Sequence, residues 1–433
     1  MAYSSWRRLE LVGTEGRANR KRSRWKRLRQ RRWLFRGLVA AAIIVVLLVI
    51  LFGSVTAWPD LGAKGTAAMR VVLGDSITAK IEGAMLSIAD WFHRVEYAVG
   101  IGHNRDPLGA SSSETTTLDA TTTATTEVSA GGGETGPTSS TLPTSTTTTE
   151  PQFRPASLTP MGTLENEGLW QSYIADKYQR VVAYRTVLQP DKTRGYSHAV
   201  VVAIDLRHTH LHFVLGYEEP VSDHKFDRPG VIPKEDLQPG IILGAFNGGF
   251  QAKHGQFGAM ADGQIALPAR DKLGTIVIYK DGRVDLGAWG TDIQASPDMQ
   301  AWRQNGPLMV SHGNINPHTA DNDPQSWGYV FGPGVATFRS GVGLSEDRQT
   351  LFFVIGPSLT TGALAEAMHQ AGVWDGIQLD INRPWTRFDK AVFKNNKLAP
   401  EPAVDGIAVG DYRLFRPYKR DFFYITVGAA PFS

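Results

Sequence analysis

The chain contains no cysteine in 433 residues. Disulfides and covalent lipid on Cys are excluded, so any domain outside the cytoplasm must be held together by its core alone, which a chain of this length can build. Charge is missing from Gly37 to Trp58, and Lys and Arg are missing from Ser111 to Glu150. The first gap excludes an ordinary solvated surface. The second lies in a stretch of 16 Thr and 7 Ser with five acids (Glu114, Asp119, Glu127, Glu134 and Glu150), which excludes a packed core because too little apolar surface is present to repay the entropy of ordering.

Basic charge is concentrated at one end. Residues 1–36 hold 13 Lys and Arg against Glu10 and Glu15, a net +11, so the chain's overall +3 leaves −8 for the remainder. The pI near 8.9 therefore belongs to a short arm, and no fold or aromatic stacking pattern accompanies that charge, which argues against a nucleic-acid partner. The uncharged run 37–58 has the length needed to cross a bilayer as a helix. A secretory signal has a shorter apolar region behind a short basic one; here 36 residues precede the run, and Val55-Thr-Ala57 is a weak cleavage site. The expectation is an uncleaved single-pass anchor at the cell membrane, with residues 1–36 cytoplasmic and everything after Trp58 outside.

Beyond the anchor, residues 59–105 predict a juxtamembrane helical segment. Ile77, Ile81, Met85, Ile88, Phe92 and Val95 recur at helical spacing, and Gly74-Asp-Ser-Ile-Thr78 supplies the N-cap. That string is similar to the nucleophile block of GDSL hydrolases. Only His93 and His103 accompany it before the linker, and the segment is too short for the α/β sheet such a nucleophile needs. Asp75-Ser76 is read as a cap. Residues 106–152 are expected to be a disordered linker with a mean reach of about 35 Å, spacing a globular unit away from a membrane.

From 153 to 433 the composition is that of a folded domain. His198–Asp205, Leu211–Leu215, Thr275–Tyr279, Leu351–Ile355 and Gly376–Asp380 read as strands, Lys280-Asp-Gly282 and Asp262-Gly263 as hairpin turns, and the stretch after Ser358 or Thr360 as a helix stopped by Gly372. The fold class expected is α/β (mixed α+β), with packed mixed β-sheets flanked by helices. Asn247 followed by Gly248 and Gly249, after the apolar Ile241-Ile-Leu, predicts a strand entering a tight turn where glycine allows positive φ and close approach of a ligand. His210 and His212 share a strand face, but no third ligand is identifiable, so no metal and no cofactor are expected.

Four blocks occur in order: Gly244-Ala-Phe-Asn-Gly-Gly-Phe250, Asn305-Gly-Pro-Leu308, Arg339-Ser-Gly-Val-Gly343 and Leu379-Asp380. Together, over roughly His198 to Thr426, they resemble the phosphodiester glycosidase domain family. The resemblance implies hydrolysis of the glycosidic bond of a phosphodiester-linked sugar. Asp380 is then the general acid or base and Arg339 the phosphate ligand, while Asn247, Gly248, Gly249, His254, Asp262 and Asn305 line the substrate. The family reads Leu-Asp-Gly-Gly-Gly-Ser where this chain has Leu379-Asp-Ile-Asn-Arg-Pro-Trp385, so Asn382, Arg383 and Trp385 are candidates for a rebuilt subsite. The partners implied are a glycan or sugar phosphodiester of the cell envelope and, through the anchor, a lipid bilayer; oligomeric state is left open. The competing reading is a membrane-tethered module that binds cell-wall glycan without cleaving it.

Overall fold

A computed structural model describes residues 74–100, 107–108, 152–321, 323–328, 335–404, 407 and 411–428. The basic arm, the expected membrane span and nearly all of the linker lie outside the described residues. No helix among those described is long and apolar enough to cross a membrane.

The domain is dominated by β-structure. An eight-stranded sheet runs in the order Gln171–Ala175, Val181–Leu188, Ala199–Asp205, Thr350–Leu359, Thr337–Leu344, Asp375–Ile381, Leu308–Ser311, Asn314–Ile315. One five-stranded sheet is ordered Gln264–Leu267, Ala259–Ala261, Met299–Gln304, Gly274–Tyr279, Val284–Ala288, and another Glu401–Pro402, Phe388–Lys390, Ile242–Asn247, Phe422–Val427, Thr209–Val214. Every pairing in these three sheets is antiparallel. The expectation of mixed sheets flanked by helices is thus corrected to antiparallel sheets with few helices. Most strands return through hairpins or short bends, and the helix Thr361–Gln370 carries the chain from Thr350–Leu359 to Asp375–Ile381, which flank Thr337–Leu344 and pair with it rather than with each other.

The local readings hold where turn chemistry is strong. Asp262 and Gly263 both take positive φ between Ala259–Ala261 and Gln264–Leu267, and Gly282 does so between Gly274–Tyr279 and Val284–Ala288. Thr360 caps the helix Thr361–Gln370 by accepting from the Ala363 N–H at 3.1 Å, and Gly372 follows it at positive φ. One face of this helix, with Leu364, Ala367 and Met368, packs with Val201 and Val354 of the large sheet. Between the sheets lies a second core that joins Val202 and Phe353 to Phe246, Phe388 and Phe423, and to Ile276 and Leu286. Phe246 stacks on Phe423 with centroids 5.1 Å apart and meets Phe353 at 4.9 Å. Interdigitated aromatics of this kind fix how the sheets face one another.

The helix Asp75–Ala98 is longer than the spacing of its apolar residues required. It packs on the domain. Asp90 accepts from Arg194 Nε at 2.8 Å and from the Tyr196 hydroxyl, and Leu86 joins the cluster of Phe250, Phe257, Val335 and Ile381. Leu108, at the start of the expected linker, is buried in the main core, and its carbonyl accepts from Arg185. Leu108 is thus docked on the domain, while residues 109–151 of the expected linker lie outside the described residues.

Candidate functional site

The central strand Ile242–Asn247 is buried throughout and ends in Gly248-Gly249-Phe250. Antiparallel pairing sets Phe422 opposite Asn247, which brings Asp421 against the turn. The Gly248 N–H donates to the Asp421 carbonyl at 3.1 Å, the Gly249 N–H to Asp421 Oδ2 at 3.2 Å, and the Phe250 N–H to Asn305 Oδ1 at 2.9 Å. Neither Gly248 nor Gly249 has positive φ, which corrects the conformational reason expected for them. The reason is space. A Cβ on Gly248 would lie 2.4 Å from Asp421 Oδ2, and one on Gly249 would lie 2.9 Å from Arg303 Cζ, Arg303 Nη2 and Asn305 Oδ1. The close approach is made by the protein's own charged groups.

Asp380 is delivered by the buried strand Asp375–Ile381. Its N–H donates to the Gly248 carbonyl at 3.2 Å, and its carbonyl accepts from Ser340 Oγ at 2.9 Å. Its carboxylate accepts from the Ile381 N–H at 3.0 Å and forms an ion pair with Arg420. Burial pushes Asp380 up to about 7, helped by neighbouring Asp421 and opposed by Arg420, the Ile381 N–H and Arg303. The Arg420 guanidinium also donates to the Gly249 carbonyl at 3.2 Å and lies 4.7 Å from the Trp385 ring centroid, with Lys419 Nζ 5.7 Å from the same ring. Behind this pair, Arg303 Nε donates to Asp421 Oδ2 at 2.6 Å, and its remaining nitrogens donate to the carbonyls of Phe250, Phe257 and Gln304. The result is two ion pairs, Asp380–Arg420 and Asp421–Arg303, on either side of the glycine turn. A buried carboxylate near neutrality with a partner cation and an aromatic face beside it can exchange a proton or support a developing positive charge on a sugar.

The predicted residues divide. Asn247, Gly248, Gly249, Asn305 and Asp380 converge. Asn305 Nδ2 donates to the carbonyls of Gln378 (2.6 Å) and Leu379 (3.3 Å), while Asn247 Nδ2 donates to Ser340 Oγ (3.0 Å) and Asn247 Oδ1 accepts from the Arg387 N–H (2.8 Å). These amides brace the ends of neighbouring strands. Arg339 is fully buried, and its guanidinium donates to the carbonyls of Leu359 and Trp327 and to Gln378 Oε1. Its Nη2 has no hydrogen-bond partner among the described residues, and burial lowers its guanidinium to about 10. Asn382 takes a left-handed φ of +72°, its carbonyl accepting from the Trp385 and Thr386 N–H groups and its side chain from Thr337 Oγ1. That turn carries the half-buried Arg383 and Trp385. Ile381 is buried with Phe250 in the adjoining apolar cluster. His254 ends a short 3-10 helix after the glycine turn, and Asp262 is exposed at the tip of its hairpin, where Gln300 Nε2 is 3.4 Å away. His212 stacks on Tyr424 at 4.4 Å and pairs with Thr426 Oγ1.

Sequence reading missed Arg420, Asp421 and Arg303. A signal was present: Lys419-Arg-Asp421 immediately precedes the apolar Phe422–Val427 strand, so its side chains sit at a strand end, where loops and sites are built.

Residues 242–380 match the family described as phosphodiester glycosidase. No curated protein matches the chain. Among solved structures, the chain is similar to the zebrafish N-acetylglucosamine-1-phosphodiester alpha-N-acetylglucosaminidase catalytic domain auto-inhibited by pro-peptide, at 15% identity and TM-score 0.38, covering 60% of this chain and 88% of that one. It is also similar to a hypothetical protein from Synechocystis, at 12% identity and TM-score 0.29, covering 53% of this chain and 59% of that one.

Proposed function

We propose, from the match of residues 242–380 to the phosphodiester glycosidase family, that this chain hydrolyses the glycosidic bond of a phosphodiester-linked sugar in a cell-envelope glycan, while anchored in a membrane by residues 37–58. The observation that carries the reading is the Asp380–Arg420 ion pair at the glycine turn, with Trp385 over the guanidinium. The ionised Asp380 carboxylate assists at the anomeric carbon, either by taking a proton from the attacking water or by stabilising the positive charge that develops on the ring. The phosphate is already a good leaving group and needs binding more than protonation. Arg420, Lys419 and Arg383 supply positive charge around Trp385, whose face suits a sugar ring. Arg339 braces the strand beneath this surface, leaving its Nη2 as the N–H able to reach a deeply bound oxygen.

A second reading, glycan binding without cleavage, is favoured by Ile381, which fills with a buried side chain a position where the family has glycine. The two separate in one assay. Full-length chain in detergent is incubated with sugar 1-phosphodiesters and isolated envelope glycan, beside Asp380→Asn, and released sugar and phosphomonoester are followed by mass spectrometry. Release by the wild type alone supports hydrolysis. Glycan retention with no release by either protein supports binding.

A further inference from the structure

The helix Asp75–Ala98 has two faces of opposite character. One faces the domain. Asp90 is held by Arg194 and Tyr196, the His93 ring lies 5.4 Å from the Tyr196 ring, and Leu86 touches the cluster that contains Phe250 and Ile381, the apolar wall beside Asp380. The other carries Ile88, Trp91, Phe92 and Val95, continued by Val99 just past the helix end, at spacings of three and four. All five are exposed, Trp91 by 58%, Phe92 by 51% and Val99 by 66%. Exposed large apolar residues aligned along one face are unusual on a domain surface and mark an interaction site.

We propose that this face lies in the surface of a lipid bilayer and holds the Asp380 site at the level of the headgroups; the proposal rests on the membrane-anchor reading above. Three observations favour lipid over a protein partner. The helix begins only 16 residues after the uncharged run 37–58, a length that spans at most about 55 Å and on average about 22 Å if flexible, so the helix cannot leave the neighbourhood of a membrane that the run crosses. The face contains no charged side chain, while Lys80, Asp90, Arg94 and Glu96 lie to its sides or opposite. It is also rich in aromatic side chains, and Trp is enriched where an apolar body meets the headgroup layer. Because Leu86 on the opposite face packs against the cluster of Phe250 and Ile381, the helix ties that layer to the apolar wall beside Asp380. Substrates the site reaches would be phosphodiester-linked sugars carried at the membrane surface.

The absence of cysteine makes a clean test available, since each introduced thiol is unique. Full-length protein with Val95→Cys, Ser87→Cys or Leu47→Cys is labelled with an environment-sensitive fluorophore, reconstituted in vesicles of phosphatidylcholine and phosphatidylglycerol, and exposed to iodide in water or nitroxide on lipid chains. The expected result is loss of iodide quenching and gain of nitroxide quenching at Val95 relative to Ser87, which is exposed on a neighbouring side of the helix. Iodide quenching at Val95 equal to that at Ser87, with the Leu47 label quenched by lipid nitroxide, overturns the proposal while leaving the anchor intact. A Leu47 label without lipid quenching overturns the anchor reading itself. Shielding of Val95 from both quenchers, with disulfide-linked dimers of unlabelled Val95→Cys, assigns the face to a second copy of the chain and also overturns the proposal.

Discussion

At the scale of single residues, the proposed function rests on a carboxylate whose burial and partner pull in opposite directions. Asp380 is held at about 7 because removing its charge from water outweighs the attraction of Arg420. If the ionised form does the work, kcat/KM rises with pH through about 7 and levels off above it, and Asp380→Asn abolishes turnover at every pH; a pH–rate profile of both proteins checks this. Arg420 lowers the same group, so Arg420→Gln should move that limb to higher pH and reduce kcat/KM at neutral pH by roughly tenfold or more, the effect of losing a charge-assisted contact. A variant with an unmoved limb would remove Arg420 from the reaction. The amides of Asn247 and Asn305, suggested as substrate contacts, are largely taken up by backbone and Ser340, which no spacing in the sequence revealed.

The elements show where sequence patterns are decisive and where they are not. Asp262-Gly263, the Gly282 turn and the Thr360 cap were legible because each depends on neighbouring residues alone. Thr360→Ala should cost about 1 kcal/mol, read as a lower urea midpoint with an unchanged slope. Gly248-Gly249 was legible as a strand entering a tight turn, but for the wrong reason: what forbids a side chain is Asp421 and Arg303, which are far away in the sequence. Gly249→Ala should destabilise the domain by about 1–3 kcal/mol through overpacking against Arg303 and Asn305, and it should lower activity more than Thr360→Ala does. Matched losses of stability with equal activity in the two variants would show that the turn has no special link to the site. The helix Asp75–Ala98 was predicted from periodicity, yet the same periodicity was compatible with burying either face. The contacts of Leu86, Asp90 and His93 identify the docked one.

For the whole molecule, buried carboxylates shape the dependence of stability on pH. Burial raises Asp389 from 3.8 to about 6 in spite of Arg387, and Asp380 from 3.8 to about 7. A carboxylate with a raised folded pKa keeps its proton longer in the folded state, so its contribution is complete below the unfolded value and is lost as pH rises to the folded one. These two groups therefore make the domain less stable between pH 3.8 and about 6 to 7 as pH increases. Asp389→Asn should flatten the fall of Tm between about pH 4 and 6 relative to wild type; an equally steep fall in the variant would assign it to other groups. Without disulfides, the same melting curves should not move when a reductant is added.

Six of the strand segments, the local turns and cap, the absence of covalent crosslinks, and the block order that ends at Leu379-Asp380 could be read from the chain alone. Each of these follows from residue type and short-range spacing. Tertiary structure decided which charges meet. Arg303 and Asp421 are 118 residues apart, and Arg420 reaches Asp380 because Phe422–Val427 pairs antiparallel with Ile242–Asn247, whose final residues abut the end of Asp375–Ile381. It also decided that Arg339, a candidate phosphate ligand by block position, is enclosed among carbonyls. Long-range pairing depends on the register of whole strands packed around Phe246, Phe353 and Phe423, an outcome of the assembled core that no local pattern in the chain encodes.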